Sequence, residues 1–300
     1  MTQYDVVGYH QIADPAPLPF AVFAILQLDS GSFRPFDPIR HGLTVAGMLH
    51  YATKIRAESA GWSRECIDAC ILGHGEARGS VHVSVGASRF AFLPLPSIEI
   101  RGGSQANVIG SIRRAMLTAL SGDCEQEMVW AQRVISGQPL IDERTQRPVA
   151  ILSTIPPDAV VRRYTGPAVT WASVTPVVLP GYDDPAHYRR RLKRGTTAEE
   201  QRTLLSKLED RTDALLRKAI VQAGLPQELA DHAELEWRKT GFWVGTELAD
   251  AYGVPDHLKR FPRVHVRIRW RDMRHQPLKV AGPLCLGGGR FCGLGLLAGV

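Results

Sequence analysis

Two histidines stand where proton transfer beside a phosphate is possible. In the stretch Thr44–Ala60, Val45, Met48, Leu49, Ala52 and Ile55 recur with the helical period and form one apolar stripe. His50 falls nearly opposite that stripe, with Lys54 one turn further on and the small residues Ala46, Gly47 and Ala57 leaving open space around it. A histidine with a pKa near 6.5 can take or give a proton at neutral pH, and a neighbouring ammonium can hold an anion. His74 lies between Gly73 and Gly75, where the backbone can turn sharply and project an imidazole into a cleft. The competing readings are plain: a surface histidine and a turn histidine.

Other residues suit phosphate. The segment Arg263–Arg271 alternates, so Arg263, His265, Arg267, Arg269 and Arg271 share one strand face at about 6.6 Å intervals, and Val264, Val266, Ile268 and Trp270 share the other. Arginine meets phosphate through its planar fork. The alternative is a solvated face, or an edge strand guarded by charge. Arg189, Arg190, Arg191, Lys193 and Arg194 form a second basic cluster, either a mobile backbone clamp or a solvated charge run. Arg113 and Arg114 are weaker candidates. The tail Gly282–Val300 holds seven glycines and one charge, Arg290. Leucines on both sides tether Gly287, Gly288, Gly289 and Arg290, a loop whose backbone can let a phosphodiester come close.

Several chemistries are absent from the sequence. The tail glycines cannot form a dinucleotide fingerprint, because no βαβ unit fits after them. There is no P-loop, serine elbow or H-E-x-x-H pattern. The five cysteines are odd in number, and Cys66/Cys70 alone make a weak zinc site. We therefore expect reduced thiols, no metal and no cofactor. A net charge of +6 permits an anionic partner. No apolar run reaches the roughly 20 residues of a membrane span, and the N-terminus lacks a signal peptide's pattern, so a cytoplasmic protein with no membrane partner is expected.

The elements that must position these residues read as follows. Residues 1–19 form an extended arm rich in proline, and Phe20–Leu28 a buried strand. The Thr44–Ala60 helix is followed by a short helix at Arg64–Leu72 and strands at Val81–Val85 and Arg89–Leu95. A second helix is predicted over Asn107–Leu120, then strands at Glu127–Ser136 and Arg147–Ser153. Strand, long helix and further strands then recur: Trp171–Leu179, Glu199–Ala223, Glu234–Val244, Val264–Trp270 and a last strand in the tail. The order predicts an α+β protein of two tandem ferredoxin-like domains, 20–165 and 166–300.

Four stretches carry a family resemblance: Leu72-Gly73-His74-Gly75, Phe90–Pro96, Trp171–Leu179 and the tail from Gly282 to Leu296. Together they resemble the RAMP endoribonucleases that process precursor CRISPR RNA, above all the RNA-processing half of the Csb-type fusion protein of type I-U (I-G) systems. The resemblance implies two ferredoxin-like (RRM-like) domains and metal-independent cleavage of repeat RNA. In that reaction the ribose 2′-hydroxyl attacks the adjacent phosphate and leaves a 2′,3′-cyclic phosphate. It favours His74 as the catalytic histidine, with His50 close behind, Lys54 for transition-state charge and Arg290 on the RNA backbone. It also implies crRNA and other subunits of a type I interference complex as partners. The usual family protein has an N-terminal Cas-five-like region that this chain begins without, so a separate subunit is expected to supply it. The alternatives are a non-catalytic crRNA-binding subunit, and an unrelated ferredoxin-like protein that binds a small anion.

Overall fold

An apolar run without polar interruption is stable as a strand only if both its faces are covered. In the computed structural model β1 (Phe20–Leu26) lies inside a five-stranded antiparallel sheet, and residues 21–25 are buried. The structure describes residues 18–78, 81–84, 89–100, 107–119, 124–181, 190–192, 194 and 197–300, with 74–78 and 81–84 by their backbone alone. The arm expected over 1–19 lies outside the described residues up to position 17, as do Arg189 and Lys193 of the basic cluster.

Helix α1 (Pro38–Ser59) starts earlier than its apolar period suggests. The Asp37 carboxylate accepts the amides of Ile39 and Arg40, and Pro38 opens the helix, where it costs no hydrogen bond. A short α2 (Arg64–Ile67) runs into a π turn over Asp68–Leu72, which Gly73 ends at a φ of 71°. Next come a small hairpin, β2 (His74–Arg78) with β3 (Val81–Ser84), and the long pair β4 (Phe90–Ile100) and β5 (Asn107–Ala119). Helix α3 (Glu125–Val134), β6 (Pro139–Asp142) and β7 (Arg147–Thr154) close the first sheet, and α4 (Ala159–Thr165) leads away from it. The sheet order is β4-β5-β1-β7-β6. With β6 set aside, this is the strand permutation of a βαββαβ ferredoxin-like unit.

The second sheet repeats that permutation. Its strands are β8 (Thr170–Ser173), β10 (Glu234–Arg238), β11 (Arg263–Arg269) and β12 (Leu297–Gly299), in the order β10-β11-β8-β12, and β9 (Val177–Val178) also pairs with β11. Helices α5 (Ala198–Gln222) and α6 (Gln227–His232) cover one face. A complete βαββαβ unit would carry a helix between β11 and β12; here the helical segment between them is the 3-10 turn Arg290–Cys292. The architecture is therefore α+β, with two ferredoxin-like halves.

The elements around position 120 are exchanged relative to the sequence reading. Asn107–Ala119 is a strand, not a helix, and Glu125–Val134 is a helix, not a strand. As a central strand β5 is buried on both faces: Ala115, Leu117 and Ala119 join the core under α1 and α3, while Ile109 and Met116 join the core toward the second half. Two-sided burial erases the alternation that marks a strand. In α3, Met128, Ala131 and Ile135 turn inward at helical spacing, and Glu125 and Glu127 favour the N-terminal turn. Strand β4 continues through Pro94 and Pro96, which read as a stop, because it is an edge strand whose register shifts on either side of Pro96.

Three of the four buried apolar clusters among the described residues stack in layers. One lies between α1, α3 and the first sheet, and a second between the second sheet and α5. The third joins the two sheets: Val22, Leu93, Leu95 and Met116 meet Tyr164, Ala172, Val174 and Leu296. Thus the halves share a buried apolar face, and the tail is part of it.

Candidate functional site

On α1 the buried set includes Ala46, Thr53 and Ala57 beside Val45, Met48, Leu49 and Ala52, while Ile55 is 39% exposed. The stripe is therefore rotated from the predicted one, and His50 lies on its flank, half-buried, not on an open face. Its ring stands edge-on to Phe92 of β4, with centroids 5.0 Å apart. Burial lowers the His50 pKa, and the positive charges of Arg89 and Lys54 lower it further. The imidazole is thus neutral at neutral pH and able to act as a base. Lys54 points to Glu58 at 3.6 Å. His50 and Lys54 line a groove of about 610 Å³ between α1 and the β6–β7 turn, together with Gly47, Tyr51, Leu72 and Arg144.

The π turn ends beside this groove. Gly73 adopts a left-handed φ, and a Cβ there would overlap the Arg89 guanidinium, so Arg89 lies flat against the glycine. His74 follows at once as the first residue of β2; its backbone pairs with Ser84, and its imidazole lies outside the described side chains. Arg89 is half-buried and stacks on Phe291 at 3.8 Å from the ring centroid. Arg290 lies over the same ring at 4.5 Å, and its Nη1 reaches the Gly287 carbonyl at 3.4 Å. Burial lowers both guanidinium pKa values, and the Arg290 charge adds to the effect on Arg89. The fold therefore brings His50, Lys54, Arg89, the strand that His74 opens, and the tip of the tail to one place. Sequence reasoning missed Arg89, because nothing local marks it out.

The tail reaches that place because the Trp171–Leu179 segment holds it. Thr175 Oγ1 donates to the Gly293 carbonyl at 2.8 Å and accepts the Leu296 amide at 3.0 Å. The Gly288 amide donates to the Val178 carbonyl, and the Gly295 amide to the Pro176 carbonyl, each at 2.8 Å. Gly289 and Gly293, at φ 78° and 81°, bracket the turn that carries Arg290. A Cβ on Gly293 would stand 2.7 Å from Pro94 Cδ, and one on Gly287 would strike the Val178 carbonyl. These glycines therefore serve close packing, and the Gly288 amide is already used. The Gly288 amide is therefore not free for a phosphate, and the turn after Gly289 carries the side chains of Arg290 and Phe291.

The remaining basic candidates are mostly engaged within the protein. His265 does not face outward with the arginines; it is fully buried. Its Nε2 donates to the Glu247 carbonyl at 3.1 Å and its Nδ1 accepts from the Ser173 hydroxyl at 3.2 Å, while burial lowers its pKa. The reason is tertiary: the segment around Glu247 and Tyr252 covers that part of the face. Nor is the face free of acids, since Arg267 pairs with Glu236, Arg271 with Glu234 at 2.8 Å, and Arg263 with Asp250 at 3.6 Å. Arg269 is exposed. Arg113 meets Glu99 at 3.1 Å, and Arg114 donates to Asp158 at 2.7 Å while lying over Phe33. Arg190, Arg191 and Arg194 are exposed and distant in sequence from the groove's residues.

All five cysteines are free. Among the described residues no group of three or more His, Cys, Asp or Glu is placed to share a metal ion, and no helix is long and apolar enough to cross a membrane.

No curated protein matches the chain. Among solved structures, a crystal structure of Cas6b is 10% identical with a TM-score of 0.44, covering 94% of this chain and 99% of that one. A RAMP protein binding different RNA substrates is also 10% identical, with a TM-score of 0.42 over the same shares. A Cas6 product complex is 16% identical with a TM-score of 0.34, covering 95% of this chain and 100% of that one. The GSU0054 family of CRISPR-associated proteins matches residues 1–299, end to end through both halves and the glycine-rich tail, and the chain belongs to that family.

Proposed function

We propose that this protein is an endoribonuclease that cuts CRISPR repeat RNA by internal transfer, without a metal step. One observation carries the reading: a half-buried histidine lines a groove that Leu72 also lines, and Arg89, packed on the neighbouring Gly73, stacks on Phe291 of the glycine-rich tail beside Arg290. Membership of a CRISPR-associated family supplies the class of RNA. His50 takes the proton of the ribose 2′-hydroxyl, and the 2′-oxygen forms a bond to phosphorus. The bond from phosphorus to the 5′-oxygen breaks, and that oxygen leaves with a proton from His74. The products are a 2′,3′-cyclic phosphate and a 5′-hydroxyl. Lys54 and Arg290 balance the charge that builds on phosphorus. The need for a 2′-hydroxyl selects RNA over DNA with no base contact. After the cut the protein stays on the crRNA 3′ hairpin within a type I effector complex.

Incubation with repeat RNA in EDTA tests the reading. A single defined cut ending in a cyclic phosphate is expected. RNA that is bound tightly and never cut would instead make the protein a non-catalytic crRNA-binding subunit.

A further inference from the structure

Arg89 and Arg290 are an unusual pair. Both are half-buried and lie against one ring, Phe291, at 3.8 and 4.5 Å. Neither has a carboxylate partner among the described residues. The Nε of each is shut off from solvent and has no acceptor among the described residues. Two like charges at close quarters, each with a dry unspent donor, are a costly arrangement unless an anion joins them. The cost is built in on both sides. Gly73 makes room for the Arg89 guanidinium that no other residue would leave, and the left-handed Gly289 and Gly293 fold the turn that presents Arg290. Arg114, by contrast, is comparably enclosed and has Asp158 beside it.

We propose that Arg89 and Arg290 form a seat for one phosphodiester of the bound RNA, with Phe291 as its apolar floor. A phosphodiester has two non-bridging oxygens and one negative charge, which suits two guanidinium forks approaching from separate elements. The seat lies near His50, whose ring meets Phe92, three residues beyond Arg89, at 5.0 Å, so the phosphate it holds is the one at the cut or next to it. Arg89 is thereby a substrate-contacting residue. This inference rests on the proposed function for the identity of the anion as RNA.

The test uses the full chain and repeat RNA with 2′-O-methyl riboses, which blocks cleavage, replacing one linkage at a time with a neutral methylphosphonate. In the unmutated protein one linkage should stand out, its neutralisation weakening binding about tenfold or more, the usual worth of a charge-assisted hydrogen bond. Arg89→Gln and Arg290→Gln should each bind more weakly by a similar factor and should no longer sense that linkage. If no linkage is coupled to both arginines, the seat is overturned. Should a variant fail to fold, the Nε–Hε resonances of the two arginines in the unmutated protein decide: both shift on binding RNA, or the seat is wrong. Cleavage of unblocked RNA is scored separately. Coupled binding without cleavage sinks the nuclease reading and keeps the seat; cleavage without coupling does the reverse. Failure to bind RNA at all refutes both.

Discussion

Replacing Thr175 by valine should loosen the tail from the body of the protein. The side chain is 7% exposed, and its hydroxyl donates to Gly293 and accepts from Leu296. Valine has nearly the same shape, so the substitution leaves a dry carbonyl and a dry amide without opening a cavity. Each unsatisfied buried group costs about 1–3 kcal/mol, so Thr175→Val, which leaves two, should cost about 2–6 kcal/mol. Thr175→Ser keeps both hydrogen bonds and loses one methyl, about 1 kcal/mol. Urea unfolding followed by tryptophan fluorescence compares the two, with the buried Trp171 on the adjoining strand as an internal reporter. Because Gly293 ends the turn bearing Arg290, RNA binding should weaken in the valine variant as well. If valine and serine agree within about 0.5 kcal/mol, Thr175 does not anchor the tail.

Other predictions follow from the same geometry. His50→Gln should slow RNA cleavage by about 10²–10⁴-fold while leaving RNA affinity nearly unchanged. In the unmutated protein, the cleavage rate should rise with pH through an apparent pKa below 6.5, and Arg89→Gln should move that limb upward by removing a positive neighbour. His265 is held neutral, its folded pKa lying below the unfolded value, so the unfolded chain binds more protons as pH falls through about 6.5 and stability drops there. In paired denaturation curves, His265→Gln should lack that part of the acid sensitivity. Gly293→Ala should cost at least about 2 kcal/mol, from its left-handed φ and the contact with Pro94. Gly42→Ala, in α1 with open space around it, should stabilise by about 0.5–1 kcal/mol, and thermal melts would rank the two.

Much of the fold was legible because its signals are local. β1 is a continuous apolar run, α5 matches its leucine spacing to within a residue at each end, and β11 alternates as expected. The order of elements predicted the ferredoxin-like repeat, and the two sheets share one strand permutation. What misled was context. β5 shows helix-like spacing because both of its faces are buried, and Pro94 and Pro96 are tolerated because β4 is an edge. His265 alternates with arginines in sequence, yet a loop closes over it. At the site, His50 and Lys54 could be found from one helix. Arg89 could not: its meaning comes from Gly73, and from Phe291, which follows it by 202 positions in the chain. The tail glycines, read from sequence as a cradle, pack against Val178 and Pro94 and carry the turn with Arg290.

The central claim is that a neutral His50 beside the tail cuts RNA. Its most direct test is cleavage of repeat RNA in EDTA by the unmutated protein and by His50→Ala and His74→Ala, with the product ends identified. One cut ending in a 2′,3′-cyclic phosphate is expected, nearly abolished in His50→Ala. Full activity in His50→Ala, or a cut that leaves a 3′-hydroxyl, would contradict it.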